Sequence, residues 1–324
     1  MIMKPVIWII DEEWLDYDVE NKTLNDQFPD CEIHYSGYDY KKDLEDFGGR
    51  VDGILAQVYT RIGREEMEQL KNCEVISVFG GGYDRIDVSA AKEKGIKVAF
   101  VPGYCVEDVS DYAIAAIFQC NKHVTSYKKE MAEKLWGSPA LPKPANRIKG
   151  SNLLIIGIGR IGSATAKKAV SLGMNVYAYD PYVCEEKMAS IGVKKAEKLD
   201  EALGNADYVS IHAKLTDETK GMLNAEKLTC LKASAYVINT ARGCIIDEKA
   251  LINAVKNGKL AGAVLDVVDV EPPSFDEEIF RTDGIIVTPH ISYLSVQAYE
   301  ELKLRAAMNL VNVIKGNEIE DIAE

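Results

Sequence analysis

Runs of mostly apolar residues too short for helices punctuate this chain almost from end to end, and helical periodicity fills the spaces between them. Val6-Ile-Trp-Ile-Ile10, Val75-Ile-Ser-Val-Phe79 and Leu153-Leu-Ile-Ile156 show the pattern most clearly. A strand apolar at every position is buried on both faces, and alternation with helices gives the β-α-β rhythm of a covered parallel sheet. Strands are predicted at 6–10, 31–35, 53–56, 75–79 and 97–100, with helices among them at 64–71 and 88–94. A longer helix starts at Val106 and runs through Val109, Ala113, Ala116 and Ile117. A charged arm (127–136) and an extended connector with Pro139, Pro142 and Pro144 follow. A second set of strands is predicted at 152–156, 175–179, 208–211, 235–239, 262–265 and 285–287. A last helix, 296–315, ends at Gly316. The expected fold is α/β, with two doubly wound parallel-sheet domains.

Composition narrows the partners. A chain of 324 residues exceeds the usual single domain, and 47% hydrophobic with 27% charged residues is ordinary for a globular protein. The formal net charge of −13 argues against nucleic acid and against an anionic membrane. Seven cysteines, odd in number and without a C-x-x-C pair, fit a reducing cytoplasm and give no zinc framework, so no metal is expected. The apolar N-terminal run reads as a strand rather than a secretory signal, and no apolar stretch is long enough to span a bilayer.

The first chemical motif is Gly157-Ile-Gly159-Arg-Ile-Gly162, between an apolar strand and a helix. Gly157 permits the tight turn, Gly159 the approach of a pyrophosphate, and Gly162 the packing of helix on strand. The helix N-terminus adds N–H groups and positive dipole. The next strand ends in Asp180, 18 residues past Gly162. A carboxylate there accepts from the ribose hydroxyls and repels a 2′-phosphate, which favours NAD over NADP. This is the signature of a Rossmann NAD-binding domain.

Three later segments place polar groups just beyond strands, where open α/β sheets keep their ligands. They are Asn239-Thr240-Ala241-Arg242-Gly243, Asp266-Val-Val-Asp-Val-Glu271-Pro272 and Thr288-Pro-His290. Singly these read as an ion pair, a turn and a structural histidine; their succession in one sheet reverses that reading. Together with the glycine loop they resemble the D-isomer-specific 2-hydroxyacid dehydrogenase family, from Gly53 to Gly316. The resemblance implies that Arg242 clamps the substrate carboxylate and polarises its keto oxygen. His290 would donate the proton to that oxygen, and Glu271 would orient His290 and favour its imidazolium form. Arg160, Ile161, His212, Thr216, Thr240, Ala241 and Asp266 match positions beside the cofactor, although His212 reads nearly as well as a structural strand-end histidine.

The same resemblance implies a substrate domain formed by 1–104 plus 295–324, with the NAD-binding domain, 105–294, inserted in it. Gly80, Gly81 and Gly82 match the loop whose N–H groups hold the substrate carboxylate. Gln57, Val58, Tyr104 and Tyr293 fall in segments resembling the substrate loops. The helix from Val106 and its arm resemble the family's dimer-forming part, so a homodimer is expected.

Departures from the family pattern bear on the substrate. Phosphoglycerate-type members show Arg-Ser where Gln57-Val58 stands, which disfavours a phosphate, although Arg61, Arg64 or Arg85 could reach one. No serine-sensing domain is expected after the last helix. Residues 101–109 and 290–295 are similar to the C-terminal-binding-protein-like branch. The expected function is therefore reversible conversion of a small 2-oxo acid to its D-2-hydroxy acid. The alternatives are a D-3-phosphoglycerate dehydrogenase-type enzyme and an NAD-sensing, corepressor-like binding module.

Overall fold

The computed structural model describes residues 4–124, 127, 131–133, 136 and 146–323. The proline connector and most of the charged arm lie outside these residues. Two compact units emerge: Met1–Tyr104 with Ser295–Glu324, and Cys105–Leu294.

The first unit alternates β1 (Val6–Ile10), α1 (Asp18–Gln27), β2 (Glu32–Ser36), α2 (Lys41–Phe47), β3 (Gly53–Gln57), α3 (Arg64–Met67), β4 (Val75–Phe79), α4 (Val88–Lys94) and β5 (Lys97–Ala99). The strands form a parallel sheet in the order β2-β1-β3-β4-β5. Trp8 and Ile10 of β1 turn to one core with Ile54, Ala56, Ile76 and Val78. Against the sheet lies the C-terminal helix, Val296–Ile314, fixed to β4 where Ser77 Oγ donates to the Ala306 carbonyl at 2.8 Å. Ser295 caps this helix by accepting from Ala298 N, and Gly316 follows its end with φ +76°. The chain thus returns to its first unit.

That helix carries an ionic group inward. Lys303, 1% exposed, donates to the Asp16 carbonyl at 2.8 Å and lies 3.4 Å from the carboxylate of fully buried Glu20. Burial pushes the Glu20 carboxyl up to about 7, against the pull of Lys303. A folded-state value above the unfolded one means stability present at low pH and lost as pH rises from the ordinary carboxylate range through 7. Glu20→Gln is therefore expected to remove that loss and to flatten the pH dependence of the first unit's stability between pH 5.5 and 8. Urea unfolding at pH 5.5 and 8, followed by Trp8 and Trp14 fluorescence, checks it. A variant weaker than the native chain at pH 8 would show that the carboxylate stabilises in its charged form.

The second unit opens with α5 (Val106–Lys122). It continues β6 (Asn152–Ile156), α6 (Arg160–Ser171), β7 (Asn175–Tyr179), α7 (Glu185–Ala189), β8 (Lys194–Lys195), α8 (Leu199–Asn205), β9 (Tyr208–Ile211), α9 (Ala225–Thr229), β10 (Tyr236–Asn239), α10 (Glu248–Lys256), β11 (Gly262–Leu265) and β12 (Ile285–Val287). Its seven parallel strands run β12-β11-β10-β9-β6-β7-β8. Leu153 and Ile155 face one apolar cluster while Leu154 and Ile156 face another, so both faces of β6 are covered. Strand order reverses between β6 and β9, and such a switch point opens a crevice at the carboxyl ends of the strands. No helix among the described residues is long and apolar enough to cross a membrane.

Candidate active site

The glycine loop leaves β6 beside that switch point. Gly157 has φ +88°, and a Cβ there would lie 2.6 Å from Ala213 N. A Cβ on Gly162 would lie 2.1 Å from the Gly157 carbonyl oxygen, so helix α6 starts hard against the loop. Gly159 differs: nothing lies within 4 Å of the Cβ position, and no side chain caps the helix beginning at Arg160. A tight turn, an open backbone face and an uncapped helix N-terminus form a cradle for a pyrophosphate. Asp180, beyond β7, accepts from Ile158 N at 3.0 Å through one oxygen and from Tyr182 N at 3.0 Å through the other. Its carboxylate is thereby tied to the glycine loop with lone pairs left for ribose hydroxyls. The residues fit a dinucleotide.

On the other side of the switch point, His212 follows β9. Its Nε2 lies 2.8 Å from Ser210 Oγ, its Nδ1 3.4 Å from Thr240 Oγ1, and burial pushes its imidazole down to about 4. A neutral ring at this position favours a hydrogen-bonding role over a charged one. Thr216 is exposed, and its hydroxyl pairs with Thr219.

Strands β10, β11 and β12 are neighbours, and each delivers one candidate side chain past its carboxyl end. After β10, Asn239 Oδ1 accepts from Ala241 N while its Nδ2 donates to the Arg242 carbonyl. This fixes the turn from which Arg242 emerges, and its Nη1 donates to the Ala241 carbonyl at 2.8 Å. After β11, Glu271 Oε1 accepts from Val268 N at 3.3 Å and lies 3.4 Å from His290 Nδ1. Burial pushes the Glu271 carboxyl up, but the His290 hydrogen bond and charge, Val268 N–H and the Arg242 charge outweigh it and hold it below the usual range. The carboxylate is ionised at neutral pH. After β12, His290 has φ +52°. A left-handed conformation costs a non-glycine residue about 1–2 kcal/mol, and such outliers persist where surroundings impose them.

Asp266, expected beside the cofactor, is 1% exposed and accepts from Thr288 Oγ1, Ile291 N and Ser292 N. Its geometry is that of a loop anchor. Gln57 is 3% exposed, with its amide turned to Asp11 and to Val58 N, which makes it wall rather than open surface. Tyr104 belongs to the first unit and Tyr293 to the second, both half-buried. In the first unit's loop, a Cβ on Gly80 would lie 2.4 Å from Val58 Cγ1, whereas Gly81 is exposed. Sequence reasoning gave no role to Asn239, Thr288 or Tyr112. The first two lie inside quoted motifs, which was the signal available.

A parallel α/β unit with this loop at its switch point, and with an acid closing the neighbouring strand, is a Rossmann dinucleotide-binding unit. Residues 114–292, more than half of the chain, match the family described as D-isomer specific 2-hydroxyacid dehydrogenase, NAD binding domain. The chain belongs to the D-isomer-specific 2-hydroxyacid dehydrogenase family, and its cofactor is NAD. It is 34% identical over 267 residues to a glyoxylate reductase of Thermofilum pendens, covering 82% of this chain and 79% of that one. It is 33% identical to a D-3-phosphoglycerate dehydrogenase of Archaeoglobus fulgidus over 82% of its length, but spans about half (50%) of that relative. Among solved structures, the D-lactate dehydrogenase of Aquifex aeolicus complexed with NAD and lactic acid superposes with TM-score 0.85 at 27% identity, covering 96% of each chain.

Proposed function

We propose that the protein catalyses the reversible NAD-dependent reduction of a small 2-oxo acid to its D-2-hydroxy acid. The observation that carries this reading is the Glu271–His290 pair at 3.4 Å, delivered from β11 and β12, with β11 next to the strand β10 that presents Arg242. When bound, the reduced nicotinamide supplies the hydride that C2 receives. Arg242 binds the substrate carboxylate and polarises the keto oxygen, for which a permanently charged planar fork is suited. His290 gives its proton to that oxygen and takes it back in oxidation; buried, ionised Glu271 keeps the imidazole oriented. Gly157, Gly159 and the first turn of α6 hold the pyrophosphate, and Asp180 holds the ribose. Within the first unit, Gly80, Gly81 and Gly82 form a backbone loop suited to a carboxylate, with Gly81 exposed.

A small uncharged side chain suits such a site better than a phosphate ester, which needs cationic partners. Arg64 is already paired with Glu93, and Arg85 lies over the Tyr59 ring. The reading extends to a cytoplasmic homodimer, supported by the seven free cysteines and the family resemblance of α5, and checked by light scattering. An NADH-oxidation screen over glyoxylate, pyruvate, hydroxypyruvate and 3-phosphohydroxypyruvate tests the substrate class, with chiral analysis of the product. The expected result is reduction of the uncharged acids in preference to the phosphorylated one, with D configuration. Tight NADH binding without reduction of any 2-oxo acid would overturn the reading.

Asp180 should also make NADH a far better coenzyme than NADPH. Asp180→Ser is expected to weaken NADH and to relax the preference by removing repulsion of the 2′-phosphate. The ratio of kcat/KM for the two coenzymes, measured in both proteins, decides; equal native values would exclude Asp180 from the ribose site.

A further inference from the structure

Three hydrogen bonds to one carboxylate surround His290 in sequence. Asp266 Oδ1 accepts from Thr288 Oγ1 at 2.6 Å and from Ile291 N at 3.0 Å, and Oδ2 accepts from Ser292 N at 2.8 Å. The positions gripped are two before the histidine and one and two after it. The residue between them is a histidine in the left-handed region, whose own N–H donates to the Thr288 carbonyl. Successive N–H groups converging on an anion form a nest of the kind that binds phosphates, and here the anion is built in. Because the Thr288 hydroxyl spends its proton on Asp266, Tyr112 must donate to Thr288, which ties the clamp to α5.

We propose that Asp266 is a positioning residue that holds the His290 backbone left-handed, so that the imidazole meets Glu271. Two carboxylates then act on one histidine by separate routes: Glu271 on the ring, Asp266 on the main chain. The proposal rests on the reading of His290 as the proton donor, and it assigns Asp266 a task distinct from contact with the cofactor.

Asp266→Asn is the test. The substituted amide has one oxygen to accept and presents a donor to another donor, so at least one grip is lost. With glyoxylate as probe, kcat is expected to fall about 10–100-fold, the scale for small misplacement of a reacting group. NADH affinity should stay within about threefold of the native value, because the glycine loop and Asp180 are untouched. The alkaline limit of reduction should move down, since the ring leaves Glu271. Hydrogen exchange at the Ile291 and Ser292 amides should accelerate, a readout independent of turnover. Should Asp266→Asn not fold, Thr288→Val removes one grip on a near-isosteric side chain and is expected to move the same quantities less. Native turnover and pH profile in a variant with accelerated exchange would overturn the proposal, as would a loss of NADH affinity as large as the loss of kcat. If His290→Ala itself keeps turnover, it is the proton-donor reading that fails; if His290→Ala is inactive and Asp266→Asn is normal, only the clamp fails.

Discussion

His290→Ala is expected to abolish 2-oxo acid reduction while leaving NADH binding nearly intact. Losing a positioned acid typically costs ~10²–10⁴ in rate, and the cofactor cradle lies on other strands of the sheet. The measurement is kcat beside an NADH dissociation constant from fluorescence titration. Retained turnover would mean that another group protonates the oxygen. Glu271→Gln separates orientation from charge. The amide keeps an acceptor for the imidazole but not the negative charge that pairs with it once protonated. Reductase activity should therefore fall off at lower pH on the alkaline side, with the acidic side less affected. An unmoved profile would reduce Glu271, whose carboxylate is buried and held ionised by His290 and Arg242, to a partner of Val268 N.

Much of this architecture is written in local pattern. Strands β1, β4 and β6 fall at the residues expected because each is an apolar run buried on both faces, a signal that tertiary context does not contradict. The helix expected over 64–71 ends at Met67. Glu68 N bonds the Arg64 carbonyl, but Gln69 N bonds that of Glu66, an i−3 contact that closes the turn before periodicity runs out. Strand β8, Lys194–Lys195, was invisible because a two-residue polar edge carries no hydrophobic pattern.

In the candidate site, the glycine loop, Asp180, Arg242, Glu271 and His290 could be proposed from sequence because each motif falls at a strand end and resembles the family pattern. The support beneath them was not legible. Asp266 stood out as an acid in a motif, yet what it grips lies more than twenty residues away and is mostly backbone N–H. Backbone donors are the same in every sequence, so residue type cannot announce such a contact. The left-handed turn at His290 was equally hidden, since glycine would have signalled it and histidine does not.

Arg242→Lys is expected to lose more than charge counting suggests. Asn239 fixes the turn from both sides, and one guanidinium nitrogen is held by the Ala241 carbonyl, so the fork has a defined orientation rather than a mobile charge. If Arg242 spans carboxylate and keto oxygen, both contacts need two donors in one plane. A lysine keeps the charge but offers a compact ammonium on a flexible stem, which can serve one oxygen at a time. One charge-assisted hydrogen bond is worth about 1.5–3 kcal/mol, so kcat/KM should fall by roughly one to two orders of magnitude. The loss should be divided: KM rises because carboxylate binding weakens, and kcat falls because the developing charge on the keto oxygen loses a donor. NADH affinity should be unaffected. A rise in KM alone would confine Arg242 to substrate capture and leave His290 as the sole electrophile. Near-native kinetics in the lysine variant would remove Arg242 from the site, and with it the account of how a 2-oxo acid is told apart from a simple ketone.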